Sequence, residues 1–434
     1  MKICMMTNTY VPHVGGVARS VDSFTRQFRA EGHEVLVVAP SFPEAGAGES
    51  ALEPGVVRLP AIQQFNGSDF SVRLPVAGIV NETIDAFEAN IVHSHHPFLI
   101  GDTAMRIAAR KHVPIIFTHH TRYEEYTHYM PFDSAALKQF TLELCTRYAN
   151  LCDGIVAPSQ SIADLLRERG VESPVEVVPT GIDVESFANG NGRAFRIAHK
   201  IPADAFVVGH IGRLAPEKNL PYLAEAVAAF LRKTPGAYFV LVGSGPAAET
   251  IQASFTEWNL ADRLVMPGTK SGGALADAYC AFDIFAFSSL SETQGLVLAE
   301  AMAAGAPVVA LDACGVREVV RDGCNGFLLP ADSSPDALAG RLGGLARDRA
   351  QREKFSAAAR VTAGEFSLAA SAAKALAFYE HIRQATRPRR QAEREDSWTA
   401  FLKRMDVEWS LIAEKTKAAV HALAVEDEVA ENSA

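Results

Sequence analysis

Two glutamates with seven residues between them, Glu292 and Glu300, stand where a strand-like run gives way to a helix-like one, in Ser291-Glu292-Thr293-Gln294-Gly295-Leu296-Val297-Leu298-Ala299-Glu300. The first N–H groups of a helix lack intrahelical partners and favour an anion. The carboxylates would repel that anion. They are suited instead to accepting hydrogen bonds from hydroxyls beside it. An anion flanked by hydroxyls is what a nucleoside diphosphate sugar presents. The plainer alternative is a solvated helix with glutamate on its polar face.

Further residues fit the same chemistry. Arg213 and Lys218 lie in Gly209-His210-Ile211-Gly212-Arg213-Leu214-Ala215-Pro216-Glu217-Lys218, a loop between a strand and a helix. A guanidinium offers a planar fork to phosphate oxygens and an ammonium a mobile point charge. Together they can neutralise a diphosphate leaving group, or they are an ordinary solvated loop. Gly15 and Gly16 follow the first strand and let the backbone approach a bulky anion, or form a plain tight turn. Gly243, in Gly243-Ser244-Gly245, closes another strand in the same manner. His120, in Phe117-Thr118-His119-His120-Thr121-Arg122-Tyr123-Glu124-Glu125-Tyr126, also follows a strand and can meet a sugar hydroxyl or the reacting centre. His93, His95 and His96 raise the question of a metal, but they have no carboxylate or cysteine companion at ligand spacing. No Asp-x-Asp is present to hold a divalent ion on a diphosphate, so cation-free binding is expected, with no metal and no separate cofactor.

These residues need a scaffold that brings strand ends together. Short apolar runs alternate with helical patterns over 434 residues, a length that suggests two domains. Strands are expected at 2–8, 34–39, 55–59, 90–94, 113–118, 153–158 and 174–178, then at 205–211, 237–242, 262–266, 283–287, 306–310 and 326–329. Near-continuous apolar runs such as Val35-Leu36-Val37-Val38-Ala39 predict parallel strands buried on both faces. The fold class is α/β, with two Rossmann-like domains and a helical C-terminal extension. The turn-rich Asn189-Gly190-Asn191-Gly192-Arg193 puts the boundary near residue 195, giving domains 1–195 and 196–371. Facing sheets would bring their carboxyl ends to one cleft. A helix over 372–385 returns towards the first domain, and 386–434 forms a tail.

A basic cluster of Arg383, Arg387, Arg389, Arg390 and Arg394 leads from that helix into the tail, followed by an apolar stripe of Trp398, Leu402, Met405, Trp409 and Ile412. Such a helix docks on protein, on a second copy, or on an anionic membrane surface. Net charge is −10, which argues against nucleic acid as a partner, and 48% hydrophobic with 21% charged residues is ordinary for a globular protein. Six scattered cysteines without C-x-x-C suggest buried thiols in a reducing compartment. With no signal peptide and no apolar run of membrane-spanning length, a cytoplasmic protein is expected, in peripheral contact with the inner face of the membrane if the tail docks there.

Over residues 1–385 these motifs resemble the family 4 retaining glycosyltransferases of GT-B architecture. The resemblance implies that Gly16 contacts the donor diphosphate, that Arg213 and Lys218 bind it, and that Glu292 holds hydroxyls of the transferred sugar. It assigns the ribose hydroxyls to Glu300, backbone contacts to Gly295, Leu296 and Val297, and a place beside the sugar to His120. It also implies that the leaving phosphate helps to deprotonate the acceptor on the same face, and that domain closure excludes water. Glu292-Thr293-Gln294-Gly295-Leu296, His95-His96-Pro97-Phe98 and the His120 segment resemble the bacterial diacylglycerol glycosyltransferases in particular. The leading expectation is therefore hexosyl transfer from a UDP-sugar to a membrane lipid hydroxyl. Alternatives are a soluble sugar or polyol acceptor, a nucleotide-sugar epimerase, and an inactive binding protein. Oligomeric state stays open.

Overall fold

A computed structural model describes residues 1–12, 15–41, 54–59, 82–124, 135–395, 410 and 414, with side chains except at 135–137 and 389–395. His13, Glu125, Tyr126 and the stripe from Trp398 to Ile412 lie outside the described residues. The chain forms two compact units, one of Met1–Pro179 with Ser371–Ala434 and one of Thr180–Ala370.

Every expected run becomes a strand, most of them trimmed at one or both ends, while 34–39 gains Pro40, 306–310 shifts to 308–311 and 326–329 is unchanged. The first unit holds β1 (Lys2–Met6), β2 (Glu34–Pro40), β3 (Val56–Leu59), β4 (Ile91–Ser94), β5 (Ile115–Thr118), β6 (Gly154–Ala157) and β7 (Val175–Val177). They form one sheet in the order β3-β2-β1-β4-β5-β6-β7. The second unit holds β8 (Val207–Ile211), β9 (Tyr238–Val242), β10 (Leu264–Val265), β11 (Ile284–Phe287), β12 (Val308–Leu311) and β13 (Gly326–Leu329). Their order is β10-β9-β8-β11-β12-β13. All the pairs are parallel; Val208 stands beside Ile284, and Met6 beside Ser94. Strand order reverses between β1 and β4 in one sheet and between β8 and β11 in the other. Ligands of doubly wound sheets settle beyond the carboxyl ends of the strands at such a switch.

The strands are apolar because helices cover both faces. All five residues of β8 are buried, as are all four of β11 and of β12. In the first unit Ile3, Met5, Phe28, Val37 and Ile116 share a core with Ala372, Ala375, Phe378, Tyr379 and Ile382. These last five come from the helix Leu368–Glu395. A Cβ on Gly154 would stand 2.8 Å from the Phe378 ring, so the absence of a side chain in β6 admits this helix. Arg147, on the helix Ala135–Leu151, pairs with Glu414 at 2.8 Å. Among the described residues no helix is long and apolar enough to cross a membrane.

The units divide at Thr180, ahead of the turn-rich 189–193. That stretch caps the short helix Gly192–Ala198, with the Asn191 side chain accepting from Ala194 N. Positions for a Cβ on Gly190 and Gly192 fall 2.3 and 2.1 Å from the Ala276 and Cys280 carbonyl oxygens. Its glycines and asparagines therefore serve close packing inside the second unit rather than a linker.

Candidate active site

In the second unit the loops that leave β8, β9 and β11 interlock. Gly243 has φ +140°, and a Cβ there would stand 1.9 Å from the Gly212 carbonyl oxygen. Gly212 N donates to Val242 O, and Leu214 N to Ser244 O, so the β8 and β9 loops run backbone against backbone. The β11 loop is tied to the β8 loop by serines. Ser288 Oγ donates to the Lys218 and Asn219 carbonyls at 3.1 and 3.0 Å, and Ser289 and Ser291 hydroxyls to Glu217 O at 3.3 Å.

This stitching places Lys218 Nζ 2.6 Å from Glu292 Oε1, with both side chains largely sheltered (18% and 15% exposed). The two residues come from opposite sides of the strand-order switch. Each was expected to meet a different part of a ligand; in the structure they meet each other. Arg213 is half exposed and pairs with Glu217. Burial alone would raise the Glu217 carboxyl, but the hydrogen bond from Arg213 leads the effects that hold it below its ordinary value.

Gly295 takes φ +67° and opens the helix Leu296–Ala303. A Cβ on it would stand 2.9 Å from Leu298 Cδ1 and 3.1 Å from the Gly315 carbonyl, so a glycine is required on two counts. Leu296 and Val297 occupy the first turn, whose N–H groups have no intrahelical acceptor. Gln294 clamps the backbone of Thr180: its Nε2 donates to Thr180 O at 2.8 Å and Thr180 N donates to its Oε1 at 2.7 Å. Glu300 is 1% exposed and accepts from the Tyr279 hydroxyl at 2.7 Å. Beneath the β8 loop, His210 is buried between Phe285 and Phe287. Its Nδ1 donates to Ala286 O, and burial, as the main cause, lowers its pKa to about 4.

In the first unit Gly15 and Gly16 begin the helix Gly16–Ala30, Gly15 as an extended N-cap and Gly16 with open space where a Cβ would be. Beyond β4 and β5 lie buried histidines. His93 exchanges hydrogen bonds with Thr118 and Tyr379, and His96 Nδ1 accepts from Asn8 N at 3.0 Å. His95 Nδ1 lies 2.8 Å from His120 Nε2, and His95 Nε2 lies 3.3 Å from Met5 Sδ. Of the rings that raised the metal question, both nitrogens of His93 and of His95 and the Nδ1 of His96 lie against protein groups. Both ring nitrogens of His119 are buried without a partner. Burial is the main cause that lowers His93 and His96 to about 3, His119 to about 4, and His95 and His120 well below 6.5.

Several supporting residues carry no signal in the sequence. Glu217 sits next to Lys218 but reads as a solvated acid, and Ser288, Ser289 and Ser291 read as a plain turn. Tyr279 is remote from Glu300 in the chain. The Gln294 clamp lies inside the motif, yet its partner is 114 residues away.

Two Rossmann-like units, each built on a parallel sheet, are compatible with a nucleotide-binding enzyme. Comparison with known proteins agrees: residues 14–186 match the Glycosyltransferase Family 4 profile and residues 192–362 that of Glycosyl transferases group 1. The chain belongs to the family 4 glycosyltransferases and is an enzyme of that kind. An alpha-monoglucosyldiacylglycerol synthase of Streptococcus pneumoniae is 27% identical over 71% of this chain and 71% of its own length. A D-inositol 3-phosphate glycosyltransferase of Segniliparus rotundus is 31% identical over 70% of this chain and 69% of its own. Among solved structures, Anabaena HepE in complex with UDP aligns with a TM-score of 0.70 at 21% identity, over 88% of this chain and 100% of its own, a likeness of GT-B fold.

Proposed function

We propose that the protein transfers a hexosyl group, with retention of anomeric configuration, from a UDP-sugar to a membrane lipid hydroxyl such as that of diacylglycerol, as a peripheral protein on the inner face of the membrane. The observation that carries the donor side is the Lys218–Glu292 pair, held across the β8/β11 switch beside the opening turn of Leu296–Ala303. An arriving diphosphate draws Lys218 away from Glu292 and, with Arg213, gains two cations and the helix N–H groups. Glu292, relieved of Lys218, accepts from sugar hydroxyls, and Glu300 serves the ribose. By the family resemblance Gly16 is assigned to the diphosphate and His120 to the sugar. The catalytic work is electrostatic stabilisation of a departing diphosphate as positive charge develops on the sugar. The lipid acceptor is supported by the diacylglycerol synthase relative. A soluble acceptor is the second reading, favoured by the inositol phosphate relative at 31% identity.

The test is a mass-spectrometric screen of UDP-, GDP- and ADP-sugars against lipid and soluble acceptors. Lys218→Ala and Glu292→Ala are expected to lower transfer by about 10²-fold or more while thermal unfolding stays cooperative. Wild-type turnover in either variant would remove that residue from the site. A calorimetric titration without heat for UDP, GDP and ADP would overturn the donor assignment.

A further inference from the structure

His95 sits 0% exposed between two unlike neighbours, the Met5 thioether and the His120 ring. A thioether sulfur has no proton to give, so in its contact with His95 Nε2 the imidazole must be the donor. A neutral imidazole carries one N–H. His95 Nδ1 is then a bare acceptor, and the hydrogen in the 2.8 Å contact belongs to His120 Nε2. His120 Nδ1 is left with the lone pair. The adjacent ring cannot upset this order, because both His93 nitrogens are engaged by Thr118 and Tyr379 while its face packs 4.1 Å from that of His95. His95 and His120 lie nearly parallel, with ring centroids 5.1 Å apart. Two charged imidazoles at that separation would repel.

From this geometry we infer that His95, backed by Met5, is a positioning residue that fixes His120 as its Nε2–H tautomer. The consequence is one of specificity. With Nε2–H committed to His95, Nδ1 accepts and does not donate, so whatever group meets it, in the protein or in a ligand, has to be a donor such as a hydroxyl rather than a phosphate oxygen. The bearing on sugar transfer rests on the place proposed for His120 above; the proton order does not.

The experiment labels histidines with 15N in the full chain and reads tautomers from long-range proton–nitrogen correlations without added donor. Nε2–H is expected on both His95 and His120. Met5→Leu conserves volume in the core and removes the sulfur acceptor, so both rings are expected to show mixed tautomers. His95→Asn keeps an oxygen where Nδ1 stood, and should retain the single His120 tautomer and transfer within about threefold of wild type. His95→Phe should mix the tautomer and lower transfer about tenfold or more. An Nδ1–H tautomer at His120 in the wild type, an unchanged tautomer in Met5→Leu, or equal behaviour of His95→Asn and His95→Phe would each overturn the inference. A wild type with this proton order and no transfer to any acceptor would support the tautomer lock and sink the proposed reaction instead.

Discussion

Glu300 illustrates how a residue read as a ligand contact also carries a structural demand. Its carboxylate is buried, and the Tyr279 hydroxyl donates to it. Tyr279 is itself 0% exposed. Tyr279→Phe keeps the ring and removes the donor. Leaving a buried acceptor short of a partner costs about 1–3 kcal/mol. The variant is expected to show that loss by chemical denaturation, with weaker UDP binding because the carboxylate is no longer held. Stability within a few tenths of a kcal/mol of wild type would show that Glu300 finds another donor there.

At the scale of elements, the site depends on loops touching at backbone distance. Gly243→Ala places a methyl group against the Gly212 carbonyl oxygen and asks alanine to hold φ +140°. Strained backbone of this kind costs about 1–3 kcal/mol, and the β8 loop has to move to relieve the contact. Because that loop carries Arg213 and Lys218, the expected outcome is a lowered Tm together with a raised KM for the nucleotide sugar. A normal KM at lowered Tm would separate the β9 loop from donor binding. Strand periodicity made every sheet element legible beforehand, since buried parallel strands are written as continuous apolar runs. Glu292, Arg213 and Lys218 were legible by charge and by position after a strand. Their pairing was not, because serines at 288–291 achieve it by bonding backbone carbonyls 69 to 74 residues away, and a serine in a turn has the same appearance whatever it bonds to. The turn-rich stretch was opaque for a similar reason: Gly190 and Gly192 are demanded by close packing, which a sequence writes in the same letters as a flexible joint.

Over the whole molecule the buried histidines are unevenly shared, and this sets a pH response. His93, His95, His96, His119 and His120 lie in the first unit, all with pKa values lowered chiefly by burial, while the second unit has His210 and the half-buried His199. His93, His96 and His119 take up a proton in the unfolded chain near pH 6.5 and resist it in the folded one down to about 3 to 4. The unfolded state therefore binds more protons across that window. Stability contributed by neutral burial is fully present above pH 6.5 and is lost as pH falls below it, by about 1.4 kcal/mol per pH unit for each histidine. The first unit therefore loses more of its stability on acidification than the second. Hydrogen exchange followed from pH 7.5 to pH 4.5 is expected to show protection in β1, β4 and β5 failing before that in β8, β11 and β12. Loss in the second unit first, or protection in the first unit that is flat across the window, would mean that these rings are charged or solvated in the folded protein, and the proton order at His120 would fall with them.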